Sequence, residues 1–429
     1  MSPVAARNQA PVPAPATWTT PQILKAGLAA IWIATLLLMG AAISGARSHR
    51  EAMKTIGRDS APSIIAAQKI RAALADMDAN AANELLGGAG AKDARLHFDQ
   101  RHDDAISGIV AAAENITYGE AERGPIHKMA LGIGTYAAEI QTARERNSVP
   151  AWRHAAEFMD STLLPEAQAL DDANRKALDA AYAGEKARYG RSYFMLIAAA
   201  LILGAALFQM QVFLARRMRR TLNPGLFLAS VAAFVLVVFT GQRFGQSDRD
   251  LKVAKEDAFE SIHTLWQARS LAYAANSDES RYLLDPDRAS AYQTSFETKA
   301  SRISGELLPN ELKNITFPGE EEAARAASTW YDEYLKIDKQ IRALAAGGHR
   351  AEAIALCTGT APHQSNWAFD RFDSAIQKTL DVNQAAFDAA VKRGEQDVAG
   401  FEVIAPVAAL VIALLSWLGL RPRIREYSA

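Results

Sequence analysis

Asp76, Asn80 and Asn83 interrupt the alanine-rich stretch "AALADMDANAANELL" at intervals of four and three. That spacing sets them along one edge of a helix. A carboxylate beside two carboxamides offers donors and acceptors for a small polar ligand, for instance an amino acid, without any bond-making chemistry. Interhelical hydrogen bonding or plain solvation is the competing reading. Their counterparts 198 residues on are Ala274, Asp278 and Arg281, so the polar edge is not a repeated scaffold feature. Reactive chemistry has less footing. His97 and His102 in "HFDQRHDD" stand five apart, about 140° around a helix, which is poor geometry for sharing a metal. There is no HExxH, no phosphate-cradling glycine loop and no CxxC, and the single cysteine, Cys357, cannot form an intrachain disulfide. No catalytic residue, metal site or cofactor is expected, and the chain reads as a non-enzyme.

The elements that must carry these residues are helices. The 429 residues are alanine-rich, and their formal charge of −1 gives no pull toward nucleic acid. Four uncharged stretches, 26–45, 192–215, 222–242 and 403–420, are each long enough to cross a bilayer as helix, which takes about 20 residues. Arg216, Arg217, Arg219 and Arg220 follow the second stretch, and Arg421, Arg423 and Arg425 follow the fourth. Basic residues in short loops stay in the cytoplasm. Both termini are therefore expected inside, and segments 46–191 and 243–402 outside. Residues 1–25 read as a disordered cytoplasmic tail, 216–221 as a cytoplasmic loop and 421–429 as a cytoplasmic end. The arginines suit topology and anionic lipid, or contact with a cytoplasmic partner.

The two outside segments share landmarks in the same order. "NELLGG" at 83 pairs with "RYLLDP" at 281, Asn115-Ile116-Thr117 with Asn314-Ile315-Thr316, and "DANRKALDAA" at 172 with "DVNQAAFDAA" at 381. Stripes at Ile70, Leu74, Met77, Ala81 and Leu85, and from Leu251 through Ala254, Ala258, Ile262, Leu265, Ala268, Ala272 and Ala275, mark packed helices. Breaks fall at 87–93, at 146–150, at both Asn-Ile-Thr loops, at 285–287 and over 346–365. The expected fold is an all-α membrane protein: four transmembrane helices and two extracytoplasmic up-down-up-down four-helix bundles related by internal duplication. At each loop, Asn115 (Asn314) suits a helix C-terminus and Thr117 (Thr316) the next N-cap, with Glu120 closing a capping box. Pro318 leaves the second box open. Counting residues brings Asp172 and Asn174 (Asp381 and Asn383) level with the loops, where they would bond the free helix ends; Tyr118 and Phe317 would plug the base. A glycosylation sequon is the rival reading. Pro62 is expected to break the first helix, with Ser60 or Asp59 as cap.

A span, a four-helix bundle, a span and then a basic cluster resembles the sensor module of methyl-accepting chemotaxis receptors and sensor kinases, here in two copies. No signalling domain follows Ala215 or Leu420. The layout also resembles the four-span actinobacterial membrane protein that links an amino-acid-binding lipoprotein to serine/threonine kinase G. These resemblances imply a sensor or relay that meets a small ligand or a loaded solute-binding protein outside. Inside, it would signal to a kinase or other protein in trans, and a homodimer would suit such bundles. A structural or accessory subunit of an envelope or transport complex is the alternative.

Overall fold

The computed structural model describes residues 18–88, 90–117, 119–218 and 222–426, and helix is the only regular structure among them. In order these are α1 Thr20–Lys54, α2 Ala61–Leu86, α3 Ala91–Glu114, α4 Glu120–Arg146, α5 Val149–Phe158, α6 Leu164–Met218 and α7 Pro224–Lys252. Then come α8 Glu260–Leu284, α9 Ala289–Arg302, α10 Leu308–Lys313, α11 Glu320–Ala346, α12 Arg350–Thr358, α13 Ser365–Asp397 and α14 Phe401–Arg425. The chain forms two compact units: Met1–Arg47 with Tyr189–Phe244 and Ala399–Ala429, and Ser48–Arg188 with Gly245–Val398.

The first unit holds four helical stretches long and apolar enough to cross a membrane, the mark of a multi-pass membrane protein. Leu24, Ile31 and Leu38 of α1, Leu203 and Leu207 of α6, Leu226 of α7 and Ile412 of α14 share one core. Large apolar side chains also face outward, including Ile33, Phe194, Leu201, Phe234 and Leu410. A surface that apolar suits lipid rather than water. Helices α7 and α14 meet through glycine: a Cβ on Gly225 would lie 2.6 Å from the Gly419 Cα and 2.7 Å from the Leu415 carbonyl oxygen. Beside that crossing Asn223 donates to the Gly419 oxygen at 2.8 Å and accepts from the Gly225 and Leu226 amides. Gly225→Val is expected to force the helices apart at a cost of about 1–3 kcal/mol, read as a lower melting temperature in detergent; an unchanged value would contradict the crossing. At the other end α1 starts at Thr20, so 20–25 is helix and not tail. Gln22 Oε1 accepts from the Thr19 amide, half of a capping box. Residues 1–17 lie outside the described residues.

The second unit contains both large segments together rather than as separate bodies. Its first half is 48–188 and its second 245–398. Helices α2 and α8 pack along each other, α3 lies on α2, α9 on α8, α11 on α13, and α4 on α5. Alanines let α2 and α8 approach closely. Ile70, Leu74, Met77 and Ala81 are buried and Leu85 is partly so, and the whole second stripe from Leu251 to Ala275 is buried. Trp152, Tyr136, Phe98 and Met159 fill the first half's core.

Pro62 does not break the first helix, and Ser60 makes no side-chain cap. The backbone widens instead into a π-helical segment, Thr55–Ser60. A proline ring clashes with the carbonyl of residue i−4, and a π turn moves that carbonyl aside. The same device recurs at Met159–Leu163 before Pro165 and at Ile303–Leu307 before Pro309. A fourth π segment, Val253–Phe259, has no proline; the structure offers no local cause for it. Within the expected break at 346–365 the chain makes a further helix, α12. It is seated by buried Ala353 and Cys357.

Candidate functional site

Asp76, Asn80 and Asn83 all line one cavity of about 190 Å³ between α2, α3, α8 and the start of α13. A second cavity of about 300 Å³ adjoins it, and the two share Asp76, Arg101 and Tyr273. The result is one cleft with two lobes, lined from both halves of the unit. Its floor is held by side-chain hydrogen bonds. Arg101 Nε donates to Asp76 Oδ2 at 2.5 Å, Asn80 Nδ2 donates to Asp76 Oδ1 at 2.7 Å, and Ser280 Oγ donates to Asn83 Oδ1 at 2.5 Å. Those bonds leave the Asn80 oxygen and the Asn83 amide nitrogen unused for a guest.

The lobes differ in charge. The larger carries Lys69, Arg101 and Arg269 with Asp104, the Arg269 guanidinium 5.0 Å and the Lys69 ammonium 5.9 Å from the Trp266 ring centre. Arg269 also grips Asp373 with two 2.7 Å bonds. The smaller lobe carries Asp93, Asp370 and Asp373 with Asn276 and Asn366. Burial pushes Asp76 up to about 6 against the pull of Arg101. Burial, then Asp76 and Asp373, holds the Tyr273 phenol well above its ordinary range, so it remains a donor. Cations crowd one lobe and carboxylates with amides the other, an arrangement that offers donors and acceptors of the kind a small polar solute carries.

The partners Arg101, Arg269, Trp266, Tyr273 and Asp373 are invisible to helix periodicity, because four of them come from the other half. A position-by-position comparison of the halves carries a signal. Lys299 stands 198 residues after Arg101 and makes the equivalent reach, donating to Asp278, the counterpart of Asn80. Arg281, the counterpart of Asn83, is buried between Asp78 and Asp160 at 2.7 and 2.6 Å. The second half therefore fills with its own cations the place that the first half leaves open.

At the Asn-Ile-Thr loops the two halves make parallel contacts. Asn115 ends α3 and donates to Ser63 Oγ at 3.0 Å; Asn314 ends α10 and donates to Ser261 Oγ at 2.9 Å. The capping differs from expectation. Gly119 and Gly319 take the position before each next helix, with φ of +71° and +86°, so neither Thr117 nor Thr316 is the N-cap. Their hydroxyls turn back to the Asn115 and Asn314 oxygens. Glu120 is exposed and pairs with Arg123, and it is Glu122, two residues on, that accepts from the Thr117 amide at 2.7 Å. Despite Pro318 the second loop closes too. Buried Glu320 accepts from the amides of Thr316 at 2.7 Å and Phe317 at 2.9 Å, and from Asn383 Nδ2 at 2.7 Å. Asn174 lines a cavity of about 200 Å³ with Ser63, Asn115 and Glu122. Asp172 and Asp381 do not reach the loops; they accept from Gln168 and Gln377 on the exposed side. Two residues along a helix is about 200° of rotation, so an aspartate two before a buried asparagine must face away. Tyr118 lies outside the described residues.

In the first unit Arg216 and Arg217 close α6, exposed. Arg421 lies 4.7 Å from the Trp417 ring centre, Arg423 pairs with Glu426 at 2.6 Å, and Arg425 is exposed. Met218 and Arg423 line one cavity of about 380 Å³ with Asn223 and Pro422, so the ends of α6 and α14 come together. Arg219 and Arg220 lie outside the described residues.

Residues 52–183 match the family model of the actinobacterial sensor domain, which points to a sensing role. No curated protein and no solved structure matches the chain.

Proposed function

We propose that this protein is a non-enzymatic transmembrane sensor whose two large segments lie outside the cell as duplicated helical modules. Ligand is received in the cleft between them, as a small polar solute or from a loaded solute-binding protein. The observation that carries the reading is the cleft itself. It opens where α2 and α3 of one half meet α8 and α13 of the other, within a chain whose first half matches a sensor domain. A guest there gains contacts from both halves, so its binding energy acts on their relative placement.

Duplication is supported by the paired Ser63–Asn115 and Ser261–Asn314 bonds, by π segments beginning at 55 and 253, and by the Arg101 and Lys299 equivalence. Cytoplasmic termini are supported by the arginines after α6 and in the last turn of α14. Those arginines are the surface we assign to anionic lipid and to a cytoplasmic partner such as a protein kinase in trans. Helix α6, 55 residues long, runs from the second unit into the first and is the segment we assign to carry the signal.

The test is a thermal-shift screen of the full chain in lipid nanodiscs against amino acids and other small polar solutes. A ligand at 100 times its Kd adds about 2.7 kcal/mol, a shift of several degrees. Asp76→Ala is expected to abolish the shift. If every solute leaves wild type unmoved, and a solute-binding protein does too, the sensor reading falls.

A further inference from the structure

Behind the cleft lies a carboxyl that its floor does not use. Glu279 on α8 is 1 % exposed, and its Oε1 has no hydrogen-bond partner. Its Oε2 accepts from Ser365 Oγ, the first residue of α13, at 2.7 Å, and from Cys357 Sγ of α12 at 3.7 Å. Both contacts belong to the cleft wall, since Thr358 and Asn366, one residue beyond each donor, line it. On α8 itself Asn276 lines the cleft, and Ser280 bonds Asn83.

We propose that the protein takes the proton as a second input, with Glu279 as a proton-operated latch that holds α12 and the start of α13 against the cleft when neutral and releases them when ionised. The surroundings say why ionisation must open the wall. From α11 the buried Asp338 carboxyl adds a like charge, and Tyr334 presents a hydroxyl without a partner. Among the described residues the cation facing Glu279 is Arg342, also on α11. Its guanidinium is paired with Asp338 and lies 4.6 Å from the Tyr282 and Phe296 ring centres. From α12 comes only the Cys357 thiol, and from α13 only the Ser365 hydroxyl. On α8 the neighbouring charges are engaged elsewhere: Asp278 with Lys299, and Arg281 with Asp78 and Asp160. A carboxylate left in such a place needs water. Helix α12 is the piece best able to yield: it is nine residues long, is flanked by Gly347-Gly348 and Gly359, and has Gly348 at φ +82°. Burial, then Asp338, pushes the Glu279 carboxyl up to about 8, so the latch would work near neutral pH. The inference holds whatever the cleft binds.

Hydrogen exchange of the full chain in nanodiscs, corrected for the intrinsic pH dependence of exchange, tests it. Between the ordinary carboxyl range and the raised Glu279 titration at about 8, the opening constant of 350–366 is expected to rise about tenfold per pH unit and then to level off, while α4 keeps its protection. Glu279→Gln, which mimics the neutral acid, is expected to hold 350–366 closed from pH 6 to 9. Ser365→Ala is expected to raise opening already at pH 6. Equal protection of 350–366 at pH 6 and 9 in wild type would overturn the latch. So would an equal loss in α4, which would mean global unfolding, or a glutamine variant that opens as wild type does. Because no solute is present, these outcomes are independent of the ligand screen.

Discussion

Arg281→Ala is expected to cost about 3–5 kcal/mol of stability. Arg281 is 3 % exposed and reaches from α8 into the other half, where its guanidinium meets Asp78 of α2 and Asp160 of the π segment between α5 and α6. Asp78 is itself buried and already accepts from the Tyr136 hydroxyl at 2.9 Å and from Ser277. Removing the guanidinium leaves the Asp78 carboxylate in the α2–α8 seam with neutral donors alone. The penalty is mostly that of an uncompensated buried charge, more than the net worth of the pair. A second variant separates the two terms. Arg281→Leu with Asp78→Asn removes both charges at once and is expected to recover at least half of the loss. Melting temperatures of the three proteins in detergent decide the matter. A single alanine variant within about 1 kcal/mol of wild type would mean that the seam does not depend on this ion pair.

The same seam shows where sequence reading stops. Membrane-length helices declare themselves through runs of uncharged residues, and α2 and α8 through apolar spacing that survives burial position by position. Asp76, Asn80 and Asn83 stood out because polar residues are costly on a face otherwise made of alanine, and all three do line one cleft. Their partners stayed hidden for a physical reason. Arg269, Tyr273 and Asp373 line the same cleft from across an interface between distant segments, and helical periodicity encodes only which face is buried, not what lies against it. The prolines show a different failure. Pro62 reads locally as a helix start, yet packing on both sides keeps the helix continuous, and a π turn takes up the clash. Asp172 and Asp381 failed on simple rotation, since landmarks aligned along the chain need not share a face.

Glu320→Ala is expected to cost about 2 kcal/mol, and Thr316→Ala less than about 0.5 kcal/mol, although the threonine is the residue the repeated motif advertises. The Thr316 hydroxyl is on the exposed side and bonds only the Asn314 oxygen two residues back; water replaces that bond at little loss. Glu320 is fully buried and gathers three donors, the amides of Thr316 and Phe317 and the side chain of Asn383. Asn383 comes from α13, so the carboxylate ties the loop to a third helix as well as to its own. Hydrogen bonds to a charged acceptor are worth more than neutral ones, and a carboxylate in the first turn also faces the positive end of the helix dipole. One term works the other way. Glu311 is buried beside Glu320 with neither oxygen bonded, and burial together with the Glu320 charge pushes it up to about 7. Deleting Glu320 removes that repulsion and returns part of the loss, which is why the expectation is 2 kcal/mol and not the 4 or more that three charged bonds would suggest. In the first half Glu122→Ala is expected to follow the same order, well above Thr117→Ala, because Glu122 is the residue that holds the Thr117 amide. Thermal unfolding of the four variants tests the assignment. Threonine variants that lose as much as the glutamate variants would return the junction to the hydroxyls.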